Sequence, residues 1–307
     1  MNNLDKSNIY KILKETDEGC VRWAHGNGFE WLRDIFLPAM EVAQKTFVDE
    51  DTLIADCFYV LGDIHDFNHA PLAAIKAYAQ AIHYDNQFAA AYREMAGMYQ
   101  SIGDYEKAAQ FIEIAVKLDP EERDALSDRE SILEDLAEKP EPFSKKSDVI
   151  WQCDELLADF SWQQALAVLG HSMDIKVCQA RARCYGVSGD HSHYLKEWDN
   201  LSESNLEVEL TSSDWFYMPK QVFDAPEIWH ILLSMYKRIK PGVFVQFDTL
   251  RESERYRNLG EKEKYKLRIE FNIYRTEKNL DGLANLLELY PNCLEWKETI
   301  DDLKSAK

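Results

Sequence analysis

Apolar residues recur along this chain with the spacing of amphipathic helices, and short turn signals separate one helical segment from the next. The clearest predicted helices cover residues 51–67, 71–84, 89–102 and 105–118. Pro71 stands in the first turn of its helix, where a missing amide hydrogen costs nothing, and Gly103 with Asp104 forms the turn before the fourth helix. A more polar helix is predicted at 121–139. The pattern indicates an all-α protein.

Two of these helix pairs repeat each other at a spacing of 34 residues. The first pair carries Phe58, Leu61, Gly62, Ala74, Tyr78 and Ala81. The second carries Tyr92, Met95, Ala96, Tyr99, Ala108, Ile112, Ala115 and the closing Pro120. This period and these residue types resemble the tetratricopeptide repeat (TPR) family. The resemblance implies a right-handed α-solenoid of TPR and TPR-like helix hairpins, and a role in binding.

The domain organisation is predicted from the repeats, the weaker helix patterns after them and the helix-breaking segment between the two. Residues 1–50 form an N-terminal helical cap, residues 51–139 hold the TPR repeats with a polar third helix, and residues 143–307 form a degenerate TPR-like domain. The helix-breaking segment 139–142, with two prolines, is the predicted linker. Weaker helix patterns follow at 149–159, 162–170, 175–187, 193–201, 226–240, 243–257, 261–277 and 280–290. Residues 202–214 are predicted to be a polar loop, and 242–247 a helix in preference to a strand.

The net charge of −20 over 307 residues restricts the partners. A negative charge of this size repels nucleic acid and anionic membranes and favours a basic partner. An acidic surface is also explained by solubility alone. The first fifteen residues are polar, unlike a signal peptide, and no apolar segment is long enough to span a bilayer. The six cysteines show no close pair, which indicates buried thiols. The predicted location is cytoplasmic.

The TPR resemblance also implies a ligand groove lined by the first helix of each pair. Its predicted inward residues are Asp56, Tyr59, Asp63, Asp66, Arg93, Gln100, Asp124 and Ser127, together with Gly97, Ser131 and Glu134. Carboxylates dominate this set, so the expected ligand is a basic or amphipathic peptide segment. Tyr59 and Asp63 replace the lysine and asparagine of the carboxylate-clamp branch, which argues against that function. The open alternative is that these acids are only the hydrated face of each helix.

No catalytic motif, metal set or cofactor-binding motif is found, so the prediction is a protein-interaction adaptor or chaperone-like scaffold that is not an enzyme. Two alternatives remain. One is an enzyme or enzyme subunit with a pocket around Trp215, His230 and Arg251; the other is a structural subunit of a larger assembly. A basic cluster in the last third could pair with phosphate or with acids of the same or a second copy; its residues are Lys237, Arg238, Lys240, Arg251, Arg255 and Arg257. A homo-oligomer is therefore left open.

Overall fold

The computed structural model describes residues 4–17, 28–143, 148–204, 206–240, 254–291 and 293–305. This part of the chain is almost entirely helical, which confirms the all-α class. Its helices are α1 (Lys6–Asp17), α2 (Gly28–Trp31), α3 (Leu37–Thr46), α4 (Asp51–Phe67), α5 (Pro71–Tyr84), α6 (Ala89–Ser101), α7 (Tyr105–Leu118), α8 (Arg123–Glu138), α9 (Val149–Ala158), α10 (Trp162–Leu169), α11 (Ile175–Ser188), α12 (His191–Glu203), α13 (Ser212–Phe216), α14 (Lys220–Phe223), α15 (Pro226–Met235), α16 (Glu254–Arg257), α17 (Glu261–Thr276), α18 (Leu280–Leu289) and α19 (Leu294–Ser305). A π-helical turn at Leu32–Phe36 joins α2 to α3, and a 3₁₀ turn at Tyr236–Arg238 follows α15.

The chain divides into two compact units. Unit 1 contains Met1–Cys20 and Phe29–His171, and unit 2 contains Val21–Gly28 and Ser172–Lys307. The break predicted at 139–142 therefore lies inside unit 1, and α9 and α10, which the sequence placed in a C-terminal domain, belong to unit 1.

The helix pairs α4–α5 and α6–α7 have the predicted bounds to within one residue. Local signals account for this agreement. Pro71 begins α5, Gly103 closes α6 in a left-handed conformation at φ +79°, and the Asp104 side chain accepts a hydrogen bond from the Lys107 amide at 3.2 Å to cap α7.

Both pairs bury small residues where their two helices pack together. Gly62 of α4 faces Tyr78 of α5, and both are buried. In the second pair Ala96 and Ala108 are fully buried beside Ile112, which belongs to the same apolar cluster. Close approach of this kind lets each pair bury its apolar faces with little empty space.

After α8 the chain turns back along unit 1. Lys139 adopts a left-handed conformation, and the Tyr105 hydroxyl donates to the Pro140 carbonyl at 2.7 Å. Glu155 of α9 then accepts hydrogen bonds from the Leu72 amide at 2.7 Å and the Ala73 amide at 3.1 Å. These are unsatisfied donors at the N-terminus of α5, so α9 caps a helix that lies about eighty residues earlier in the chain.

The N-terminal helices α1 and α3 pack against α4. α1 contacts α3 and α4, and Ile9, Phe36 and Ala43 are almost completely buried. The Trp31 indole donates to the Thr16 hydroxyl at 3.0 Å and so joins α2 to α1.

Unit 2 has its own core around the α11–α12 pair and α15, with Trp198 and Trp229 fully buried. The predicted loop at 202–214 is wrong in part. It contains the end of α12, a short strand β1 (Val208–Glu209) and the start of α13, and β1 pairs in parallel with β2 (Ile239–Lys240). The predicted helix at 243–257 and the alternative strand at 242–247 lie outside the described residues, apart from α16.

Asp214, at the end of the segment that was predicted as a loop, is buried because neighbouring groups donate hydrogen bonds to its carboxylate. Asp214 accepts hydrogen bonds from Arg183 at 2.9 Å, from the Gln179 amide group at 2.8 Å and from the Thr211 backbone at 2.9 Å. The Arg183 and Asp214 side chains are only 5% and 2% exposed. Within the described residues, no helix is long and apolar enough to cross a membrane.

Candidate functional site

Helix α4 supplies four of the predicted inward residues on one helical face, since Asp56, Tyr59, Asp63 and Asp66 follow one another at three- and four-residue steps. Tyr59 is half-buried. Its ring lies 4.9 Å from that of Phe88 and 5.8 Å from that of Tyr78, measured between centroids. Tyr59 therefore joins α4 to α5 and to the start of α6.

Asp63 accepts a hydrogen bond from the Tyr78 hydroxyl at 2.8 Å. Burial raises the pKa of Tyr78, and the Asp63 carboxylate raises it further, because a phenolate would be both desolvated and repelled. Tyr78 is thus a neutral donor that orients Asp63. This aspartate has a structural contact in addition to its position on the predicted face.

Asp56 and Asp66 differ from Asp63, because neither carboxylate has an ion-pair or hydrogen-bond partner among the described residues. Desolvation raises the pKa of Asp56, and the nearby Asp85 carboxylate adds to the rise. Desolvation also raises the pKa of Asp66, with a further contribution from Glu94 and a small opposing one from His69. The Asp66 side chain is solvent-accessible, yet enough protein surrounds it to weaken its hydration. A cation placed here would relieve both effects.

Arg93 of α6 is the basic residue of the predicted set, and carboxylates surround it. It forms a short ion pair with Glu94 and lies 3.2 Å from Glu122, 3.5 Å from Asp124 and 3.9 Å from Asp128. Burial disfavours the cation, but these carboxylates outweigh that effect and raise the pKa of Arg93. Arg93 is therefore already neutralised and has little capacity to bind an anionic ligand.

The remaining predicted residues have different environments. Gln100 donates to Ser131 at 3.2 Å and to Asp135 at 2.7 Å, so it crosslinks α6 to α8. The Asp124 side chain contacts Arg93 but is still 80% exposed, and Ser127 is exposed. The predicted spacing thus brings residues of α6 close to residues of α8. Several of these residues, Arg93 and Gln100 among them, already form contacts within the protein. We call the following acids of α4, α6 and α8 the acidic face: Asp56, Asp63, Asp66, Glu94, Asp124 and Asp128.

Three acids of this region were missing from the sequence-based set. Glu94 directly follows Arg93, where helical geometry gives no reason to expect a contact. Asp128 stands one turn after Asp124, so its spacing could have identified it. Glu122 caps α8 by accepting from the Asp124 and Ala125 amides, and its position before an amphipathic helix is a recognisable signal.

A pocket of about 280 Å³ opens between the start of α6, the end of α7 and the start of α8. Four alanines, with Arg93, Asp119 and Glu122, line it; the alanines are Ala89, Ala90, Ala115 and Ala125. Arg93, which contacts Glu94, Asp124 and Asp128 of the acidic face, is one of its lining residues.

Unit 1 carries most of the charge. It has 14 Lys and Arg against 32 Asp and Glu, a net charge of −18 out of the total −20. Carboxylates at this density lower the local potential over several ångströms even at physiological salt, where the screening length is about 8 Å.

In unit 2, the residues proposed for an enzyme pocket do not share one environment. Trp215 is buried and stacks on Trp229 at 6.2 Å, whereas His230 is exposed and bonds to Glu277 at 2.8 Å. Arg251 lies outside the described residues. Of the basic cluster, Arg238 donates to backbone carbonyls of Ser202, Ser204 and Leu206, which assigns it a structural contact. Lys237, Lys240 and Arg257 are at least partly exposed, and the side chains of Arg251 and Arg255 are not described.

Among the described residues, no three His, Cys, Asp or Glu side chains are grouped so as to hold a metal ion. No protein-family model matches the chain, and no curated protein matches it with significant similarity.

Proposed function

We propose that the protein is an interaction adaptor that binds a basic or amphipathic peptide segment of a partner protein on the acidic face. In this proposal the α4–α5 and α6–α7 pairs are TPR hairpins, α8 is the first helix of a third repeat, and together they form a short right-handed solenoid. In unit 2 the α11–α12 pair is TPR-like as well. The function is binding, with no catalytic step.

The observation that carries the proposal is the state of Asp56 and Asp66. Desolvation raises the pKa values of both carboxylates, and neither forms an ion pair with a lysine or arginine among the described residues. An arrangement of this kind weakens the free protein, and a lysine or arginine from a partner would stabilise the ionised form. The net charge of −18 on unit 1 favours the same class of partner and speeds its encounter.

The test uses the full-length protein and a fluorescent amphipathic 15-residue peptide with lysines along one helical face. Anisotropy gives its dissociation constant at several salt concentrations. The double variant Asp56→Lys/Asp66→Lys should bind about tenfold more weakly, which corresponds to roughly 1.4 kcal/mol. Asp63 is left intact because it holds Tyr78.

The matched control is Asp281→Lys/Glu288→Lys, which makes the same change of charge at two exposed positions of unit 2. The proposal requires this control to bind nearly as well as the wild type. Equal weakening in both variants would mean that the peptide responds only to net charge, and the proposal would then be wrong.

A further inference from the structure

The pocket between α6, α7 and α8 exists because small residues line it. Ala115 and Ala125 are 1% and 2% exposed and form its inner wall, whereas Ala89 and Ala90 are half-buried at the start of α6. A volume of about 280 Å³ is just below the ~300–1,000 Å³ range of small-molecule sites. Methyl groups on several sides of a space this size suit one extended side chain.

The charges at this pocket favour a cation. Asp119 is exposed, and within the described part of the chain its carboxylate accepts one long hydrogen bond, from the Glu121 amide at 3.3 Å. Glu122 also lines the pocket and is shared between Arg93 and the capped end of α8.

Arg93 does not reverse this preference. Its guanidinium already contacts four carboxylates, and an anion entering the pocket would have to displace one of them. An anionic ligand would also approach Asp119 and Glu122, and like charges at short range oppose binding. The pocket therefore discriminates against acidic side chains and phosphate.

We infer that this pocket receives a single lysine or arginine side chain of the bound partner segment. The aliphatic stem would lie along the alanine methyl groups, and the charged end would reach Asp119 and Glu122. The inference rests on the proposed function and assigns one anchoring position within it. Discrimination would come from the combination of an apolar wall and an acidic rim, because neither a short polar side chain nor a neutral aliphatic one satisfies both.

The test observes the pocket directly. Full-length protein labelled at alanine methyl groups is titrated with the lysine peptide described above, and the methyl resonances of Ala115 and Ala125 are followed by NMR. A second peptide replaces each lysine by norleucine, which keeps the stem and removes the charge. The lysine peptide should shift both resonances, and the norleucine peptide should leave them in place.

A pair of variants tests the charged end. Asp119→Asn keeps an oxygen that can accept from the Glu121 amide and removes the charge, and it should weaken binding two- to fivefold, the range of a single exposed ion pair. Glu121→Gln changes the same charge two residues away at a residue that does not line the pocket, and it should leave the affinity unchanged.

The experiments distinguish failure of the pocket inference from failure of the proposed binding function. Binding that depends on Asp56 and Asp66 but leaves the Ala115 and Ala125 methyl resonances unmoved would overturn the pocket and keep the adaptor. Equal effects of Asp119→Asn and Glu121→Gln would also overturn the pocket. Absence of any binding would contradict the proposed function itself.

Discussion

The aromatic ring of Tyr78 lies directly against Gly62, where α4 and α5 cross. A methyl group on Gly62 would come well within 3.0 Å of three ring carbons, closer than real side chains approach. The ring has no free space to move into, since Tyr78 is completely buried and its hydroxyl is bound to Asp63. This contact joins the packing of the first helix pair to the orientation of a residue on the acidic face.

Replacing this glycine by alanine should therefore destabilise unit 1. Overpacking of a filled core costs about 1–3 kcal/mol, and the better helix propensity of alanine recovers at most about 1 kcal/mol of it. Gly97→Ala is the matched control, because a methyl group there meets no atom within 4 Å, and it should leave stability unchanged or raised. Urea unfolding of the two variants measures both effects. A Gly62→Ala protein as stable as Gly97→Ala would contradict this packing.

Unlike the replacement of Gly62, the replacement of acids on the acidic face should stabilise the free protein. Because the folded-state pKa values of Asp56 and Asp66 are raised, ionisation destabilises the free protein at pH values above them. This loss is absent below the ordinary aspartate pKa of 3.8 and complete above the raised values. Asp56→Asn and Asp66→Asn should each raise the Tm at pH 7, and the gain should shrink toward zero near pH 3. A lower Tm of the asparagine variants at pH 7 would show that the carboxylates have stabilising partners.

His65 of α4 should make unit 1 sensitive to mild acid. Burial lowers the pKa of His65 to about 4; the Asp159 carboxylate partly opposes this shift and Lys76 reinforces it. A histidine with a depressed pKa contributes stability that is complete above its ordinary pKa of 6.5 and is lost as the pH falls toward 4.

The measurement is the urea midpoint at pH 7.5 and at pH 5. The wild type should lose stability between these values, and His65→Gln, which cannot become charged, should lose less. An equal pH response of both proteins would assign the effect to other groups.

The helices that could be predicted from the sequence are those whose ends are determined by adjacent residues. Pro71, Gly103 and Asp104 each act within one turn of helix, so the bounds of α4–α7 follow from local patterns. The contact of Glu155 with the Leu72 and Ala73 amides is different, because no local pattern relates residues so far apart in the chain. The packing of α9 against α5 could therefore not be predicted from the sequence.

Polar residues account for most of the remaining errors. Residues 202–214 were assigned to a loop because polar side chains usually face water, but Asp214 is buried with Arg183 and Gln179 as hydrogen-bond donors. In the candidate site too, the sequence pattern did not show which polar side chains contact one another. Repeat spacing brought Arg93 and Asp124 together, yet it could not show that Arg93 contacts Glu94 and Asp128 as well.

The buried pair in unit 2 gives the last prediction. Arg183 and Asp214 are 2.9 Å apart and nearly inaccessible to water, so removing one charge leaves the other buried without its counter-ion. Breaking such a pair costs roughly 3–5 kcal/mol, and Asp214→Asn should destabilise unit 2 by about this amount. Removing both charges in Arg183→Met/Asp214→Asn leaves no isolated buried charge, so the double variant should lose less than the sum of the two single losses. Hydrogen exchange measured by mass spectrometry can localise the effect, since exchange should rise in the helices of unit 2, α11 to α15 above all, and stay unchanged in α4–α7. Additive losses, or a loss in Asp214→Asn below about 1 kcal/mol, would mean that the two side chains do not depend on each other for burial.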